Sequence, residues 1–166
     1  MLDLLIPTIA QGLLWSLLAL GVYITFRVLD IADLSVEGTF PLGAAVAATC
    51  ITSGHSLVTA FVLAVLAGCV AGAVTGLLTT KLKIPALLSG ILTMIGLYSI
   101  NLRVMGRANL SLLGQTTIYS WGASAGLTEA QTTLAVGLIA ALLVVAVVYW
   151  FFGTEIGLAL RATGYN

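Results

Sequence analysis

Charge is what this chain has least of. Six lysines and arginines, six aspartates and glutamates and one histidine are all that 166 residues contain, and the formal net charge is zero. A soluble domain is about a quarter charged, whereas here the share is 7%. So few ions cannot solvate the surface of a 17.1 kDa globule. This scarcity excludes a soluble enzyme, a nucleic-acid binder, a disordered tail and a coiled coil. Cysteine is nearly absent too: Cys50 and Cys69 lie inside apolar runs without C-x-x-C spacing. They are expected to be small buried hydrophobes, not a disulfide or a metal site. His55 has no ligand-type neighbour, so no metal is expected. No G-x-x-x-x-G-K-[ST] occurs, so the chain cannot cradle ATP phosphates by that device, and no cofactor is expected. Gly122-Ala123-Ser124-Ala125-Gly126 matches G-x-S-x-G in letters only. The strand, helix and later histidine of a nucleophile elbow are missing, and the segment reads as a flexible loop. Asn109-Leu110-Ser111 is a glycosylation sequon only if the loop is lumenal in a eukaryote.

What is abundant is apolar surface and glycine: 60% hydrophobic residues, 18 glycines and a mean hydropathy of +1.17. Small residues let membrane helices approach closely. The fold class is therefore all-α, a polytopic transmembrane helix bundle in a lipid bilayer. Charge-free windows run 4–26, 38–80, 84–102, 108–128 and 130–154. A bilayer core of about 30 Å takes about 20 apolar residues per helix. The windows give spans near 4–26, 57–80, 85–102 and 132–152, with a broken segment over 28–53 and an outer loop over 104–130. The turn-like Thr52-Ser53-Gly54-His55-Ser56 divides the long second window, and Tyr149 and Trp150 anchor the last span at the interface. The first span follows Asp3, not a basic region, and is too long for a signal-peptide core, so it is expected to remain as an anchor.

Four features stand out. Asp30, Asp33 and Glu37 would share one face of a helix, and carboxylates at membrane depth would line a cavity or pair with a cation. With Ser35 and Thr39 they are the candidate substrate pathway; the plain alternative is a solvated interfacial loop. Gly68, Gly72 and Gly76, extended by Ala60, Ala64 and Thr80, form a small-x-x-x-small stripe. It is expected to pack inside the bundle more than to form a dimer seam. Lys81-Leu82-Lys83 is a basic turn that reads as a topology signal. The stretch Gly157, Leu158, Ala159, Leu160, Arg161, Ala162, Thr163 and Gly164 is a short amphiphilic piece beyond the last span.

The run from Gly21 through Arg27 and Leu29 to Ala44 resembles the start of permease subunits of ATP-binding-cassette importers of the branched-chain amino acid and ribose type. It most resembles the branch associated with tryptophan and tyrosine uptake. Glu37 interrupts the ribose-type Asp-Leu-Ser-Val-Gly pattern, and the Asn-Phe-Ala-His-Gly type segment of branched-chain members is absent. Residues 157–164 are similar to the family's cytoplasmic loop, whose short helix docks on the ATPase. The resemblance implies a docking loop over 153–166 and an N-terminal portion of a longer permease. It further implies a separate ATPase that does the hydrolysis, an extracytoplasmic substrate-binding lipoprotein, a second permease subunit and residence in a bacterial cytoplasmic membrane. The solute would be an amino acid, by resemblance aromatic. An ion-coupled carrier using Asp30, Asp33 and Glu37, and a non-transporting scaffold built on the glycine stripe, are the alternatives.

A cytoplasmic docking loop makes the last span run outside to inside and puts Lys81 and Lys83 inside. With the N-terminus inside, parity then requires residues 28–53 to enter and leave the membrane on the same outer side. Such irregular backbone is tolerated only beside protein or a wet cavity, where transporters commonly build their sites.

Overall fold

The computed structural model describes residues 2–164, with side chains from Leu5 onward. Tyr165 and Asn166, the end of the expected docking loop, lie outside the described residues. These are α1 (Leu2–Tyr23), which runs into a π-helical turn (Ile24–Val28), then α2 (Val36–Thr52), α3 (Leu57–Thr80), α4 (Ala86–Met105), α5 (Ile118–Ser124), α6 (Glu129–Phe152) and α7 (Glu155–Gly164). Leu5–Val28, Leu57–Thr80, Ala86–Met105 and Glu129–Phe152 are long and apolar enough to cross a membrane. The chain is an all-α, multi-pass membrane protein. Helix ends follow local chemistry. The Ser56 hydroxyl accepts the Thr59 N–H at 3.3 Å at the start of α3. Thr128 and Gln131 form a reciprocal capping box at the start of α6. Gly106, at φ 67°, closes α4 in the left-handed conformation.

The chain divides into two units, residues 1–31 with 118–166, and residues 32–117. In the first, α1 packs along α6. A side chain at Gly137 would meet Ala10 and Leu13, while near the other end Val28 lies against Gly164 of α7. Residue numbers rise together along both helices, so α1 and α6 run parallel. The N-terminal ends of α1 and α6 therefore lie at the same end of this unit. An N-terminus inside, combined with α6 running outside to inside, is not what the packing gives.

The stretch expected as an outer loop contains α5, which lies on α6. Gly122 abuts the Thr132 side chain, and the Thr133 hydroxyl donates to Tyr119 Oη at 3.4 Å. Ser124 donates to the Trp121 carbonyl at 2.7 Å, as a serine in a helix end does.

In the second unit α2 and α4 also run parallel, since Gly90 meets Leu34, Gly38 meets Met94, and the Thr49 hydroxyl donates to the Val104 carbonyl at 3.2 Å. The intervening α3 runs the other way. Leu42, Ala71 and Leu97 form the core, with Val46 and Ala67 against it, and Thr75 donates to Thr93 Oγ1 at 3.0 Å. The buried face of α3 is thus Ala60, Ala71 and Thr75. The glycine stripe is displaced from it: beyond the helix's own backbone, no atom lies within 4 Å of where a side chain at Gly68, Gly72 or Gly76 would begin. Among the described residues it is not an intramolecular packing face. Adjacent helical positions differ by about 100°, so Gly72 points well away from the face of Ala71. Cys69 is likewise exposed, not buried.

Candidate functional site

The site begins where the first span ends. The π turn widens the helix: the Leu29 N–H reaches back to the Ile24 carbonyl at 3.1 Å, and the Ile31 N–H to Thr25 at 3.0 Å. Asp30 stands between them with φ 53°, a left-handed conformation that aspartate tolerates better than most residues. Residues 29–35 are not helical. A shared helical face for Asp30, Asp33 and Glu37 therefore does not exist. Asp30 is exposed and belongs to the first unit; Asp33, Ser35, Glu37 and Thr39 belong to the second.

In the second unit the chain turns into α2 through an elbow made by Asp33. Its Oδ1 accepts the Ser35 N–H at 2.8 Å, an Asx-type turn in which a side chain replaces a backbone acceptor. Ser35 is buried and its carbonyl receives the Gly38 and Thr39 N–H groups, each at 2.9 Å, which opens α2. The Thr39 hydroxyl donates to the Val36 carbonyl at 3.2 Å. Glu37 is exposed in the first turn of α2, where a carboxylate is favoured by the helix dipole.

Glycines on two helices admit this elbow. A Cβ at Gly90 of α4 would stand 2.7 Å from the Leu34 nitrogen and 3.1 Å from Asp33 Oδ1. A Cβ at Gly38 would stand 2.9 Å from the Met94 Cα. Behind them α4 buries Ser89, Thr93 and Asn101. Asn101 donates from Nδ2 to the Gly38 carbonyl at 3.4 Å, and its buried Oδ1 has no partner among the described residues. Sequence reasoning missed this face. The available signal was the spacing of Ser89, Thr93 and Asn101 by four and then eight residues, which places polar groups on one side of a helix. The elbow is a positioned turn that the Asp33 carboxylate holds. Among the described residues no group of three or more histidines, cysteines or carboxylates comes together as a metal site.

The second candidate, residues 157–164, lies in α7. Thr154 caps it: its hydroxyl oxygen accepts the Gly157 N–H at 3.3 Å, and Glu155 sits in the first turn. Gly157 presses on the Phe151 carbonyl and the Phe152 Cα, and Gly164 on the Val28 carbonyl, so the inward face of α7 has no room for a side chain at either point. Leu160 lies between them, half-buried. Leu158, Ala159, Ala162 and Thr163 are exposed, as is Ile156. The Arg161 guanidinium lies over the Phe152 ring, its Cζ 5.0 Å from the centroid.

Comparison with known proteins agrees with this architecture. The family described as branched-chain amino acid transport system / permease component matches residues 4–166. A protein of Clostridioides difficile (strain R20291) named tyrosine transport system permease protein is 46% identical over 108 residues, 65% of this chain and 37% of that relative. An uncharacterised protein of Rickettsia prowazekii (strain Madrid E) is 35% identical over 165 residues, 99% of this chain and 56% of that relative. The chain thus spans about a third to just over half the length of these two relatives. No solved structure matches. With the match running from residue 4 to the end of the chain over parallel, glycine-seated membrane helices, this chain belongs to the branched-chain amino acid transport permease family.

Proposed function

We propose that this chain forms part of the membrane subunit of an ATP-driven importer that carries an amino acid, of the tyrosine class, across a bacterial cytoplasmic membrane. The observation that carries the reading is the family match over residues 4–166, joined to a capped α7 held at the end of two spans. In this reading the exposed side of α7, Leu158, Ala159, Ala162 and Thr163, meets a separate ATPase in the cytoplasm. A binding lipoprotein delivers the solute outside, a second permease subunit completes the pathway, and hydrolysis stays on the ATPase.

A cytoplasmic α7 makes α6 run outside to inside, and its parallel partner α1 with it, so the chain begins outside. In the second unit, Lys81 and Lys83 inside make α4, and its parallel partner α2, run inside to outside. No re-entrant segment is then needed for parity. With 17 residues, α2 rises about 25 Å, enough for most of a crossing.

The test is tyrosine uptake by the complete permease reconstituted with its ATPase and binding protein. Uptake that needs ATP and survives an ionophore is expected. Uptake driven by a proton or sodium gradient without ATP overturns the reading.

A further inference from the structure

A cleft of about 810 Å³ opens in the first unit between α1, α6 and α7. Its upper walls are apolar, formed by Leu20 of α1 and by Val145 and Val148 of α6. Its rim carries Arg27 from the π turn and Arg161 from α7, with Asp30 as the lining carboxylate. Two guanidiniums against one carboxylate leave the rim net positive.

The depth of the cleft follows from the spans. Arg27 is one residue from the end of Leu5–Val28, and Phe152, another lining residue, ends Glu129–Phe152. These two helices run parallel, so both ends fall at the same membrane edge, at headgroup depth. Arg161 is held in place because its guanidinium lies over the Phe152 ring. A guanidinium held over an aromatic ring still has N–H groups to offer a bidentate anion such as phosphate. A phosphate at the rim with a hydrocarbon chain along Leu20, Val145 and Val148 satisfies both halves of the cleft. A free phosphate would leave the apolar wall uncovered, and a neutral lipid would leave the arginines without an anion.

We propose that this cleft binds an anionic phospholipid, its phosphate between Arg27 and Arg161 and an acyl chain against the apolar wall. Placement in the inner leaflet rests on the reading of α7 as cytoplasmic; the site itself does not.

The experiment uses the complete permease in nanodiscs and measures retained phosphatidylglycerol by native mass spectrometry against phosphatidylcholine. Wild-type protein should retain phosphatidylglycerol selectively, and glycerol phosphate or inorganic phosphate should not displace it. Arg27→Gln and Arg161→Gln should each weaken retention about fivefold, the usual effect of one basic residue near an anionic surface. Asp30→Asn keeps a residue that accepts the left-handed backbone and removes the only carboxylate among the described lining residues, so retention should tighten by a similar factor. This variant tests the site even where an arginine variant fails to fold. Equal retention of the two lipids, displacement by free phosphate, unchanged retention in folded arginine variants, or no tightening in Asp30→Asn overturns the proposal. Selective retention with unchanged ATP-dependent uptake sustains the site independently of the transport reading.

Discussion

Gly90 and Leu34 meet backbone to backbone: a methyl group at position 90 would stand 2.7 Å from the Leu34 nitrogen. The nitrogen belongs to the elbow that starts α2 and has little freedom to move, because Ser35 beside it is held by Asp33. Gly90→Ala should therefore destabilise the permease by about 1–3 kcal/mol, the usual cost of overpacking. Gly96 lies on the same helix with nothing within 4 Å of its would-be side chain. Gly96→Ala should instead gain about 0.5–1 kcal/mol from helix propensity. Thermal unfolding of the two variants in detergent checks the contrast, and equal effects would mean that α4 does not pack on the elbow.

Asp33 is the carboxylate for which charge and shape can be separated. Its Oδ1 accepts one backbone N–H, and an asparagine oxygen at the same place can do the same. Asp33→Asn should keep stability within about 1 kcal/mol, losing only the favourable charge near a helix N-terminus. Asp33→Ala should cost about 1–2 kcal/mol more, because the Ser35 N–H is left without its acceptor in a buried turn. Uptake should follow the same order. A large loss of uptake in a stable Asp33→Asn permease would show that the negative charge itself acts on the pathway.

On α7 the inward and outward positions should respond differently. Gly157 has backbone of Phe151 and Phe152 where a side chain would go, so Gly157→Leu should lift the helix from the end of α6 and lower thermal stability. Ala159 is exposed, so Ala159→Leu should leave the stability of the permease unchanged. If α7 meets the ATPase, both substitutions should uncouple ATP hydrolysis from uptake. Normal coupling in Ala159→Leu would remove the outward face from the docking surface.

How far the sequence carried can be judged element by element. The long helices were legible because the apolar runs, bounded by charges such as Arg27, Lys81 and Arg103, match the thickness of a bilayer. The irregular stretch at 29–35 was marked by its acidic residues, but helical periodicity misled there, since the chain leaves the helix at Asp30 before any face can form. The short α5 was obscured by serine, threonine and glycine, residues that read as loop until Gly122 is seated on Thr132. The glycine stripe of α3 illustrates a choice that spacing alone does not make. Glycines at 68, 72 and 76 and small residues at 71 and 75 each mark a smooth face, and the contacts of Ala71 with Leu42 and Leu97 select the second.

Asn101 closes the polar face of α4 with an imbalance. Its Nδ2 makes a long 3.4 Å bond to the Gly38 carbonyl, while Oδ1 is buried without a donor among the described residues. A buried acceptor without a partner costs about 1–3 kcal/mol, more than so weak a bond returns. Replacing the amide by methyl groups of the same branching removes that cost. Asn101→Leu should therefore be as stable as the natural protein or slightly more so. Asn101→Ala should be less stable by about 1–3 kcal/mol, because it opens space between α2 and α4 and loses the packing that leucine keeps. Chemical unfolding of both variants of the complete permease separates the cases. If Asn101→Leu is as damaged as Asn101→Ala, Oδ1 receives a hydrogen bond in the working transporter, and its donor comes from a group that residues 2–164 do not supply.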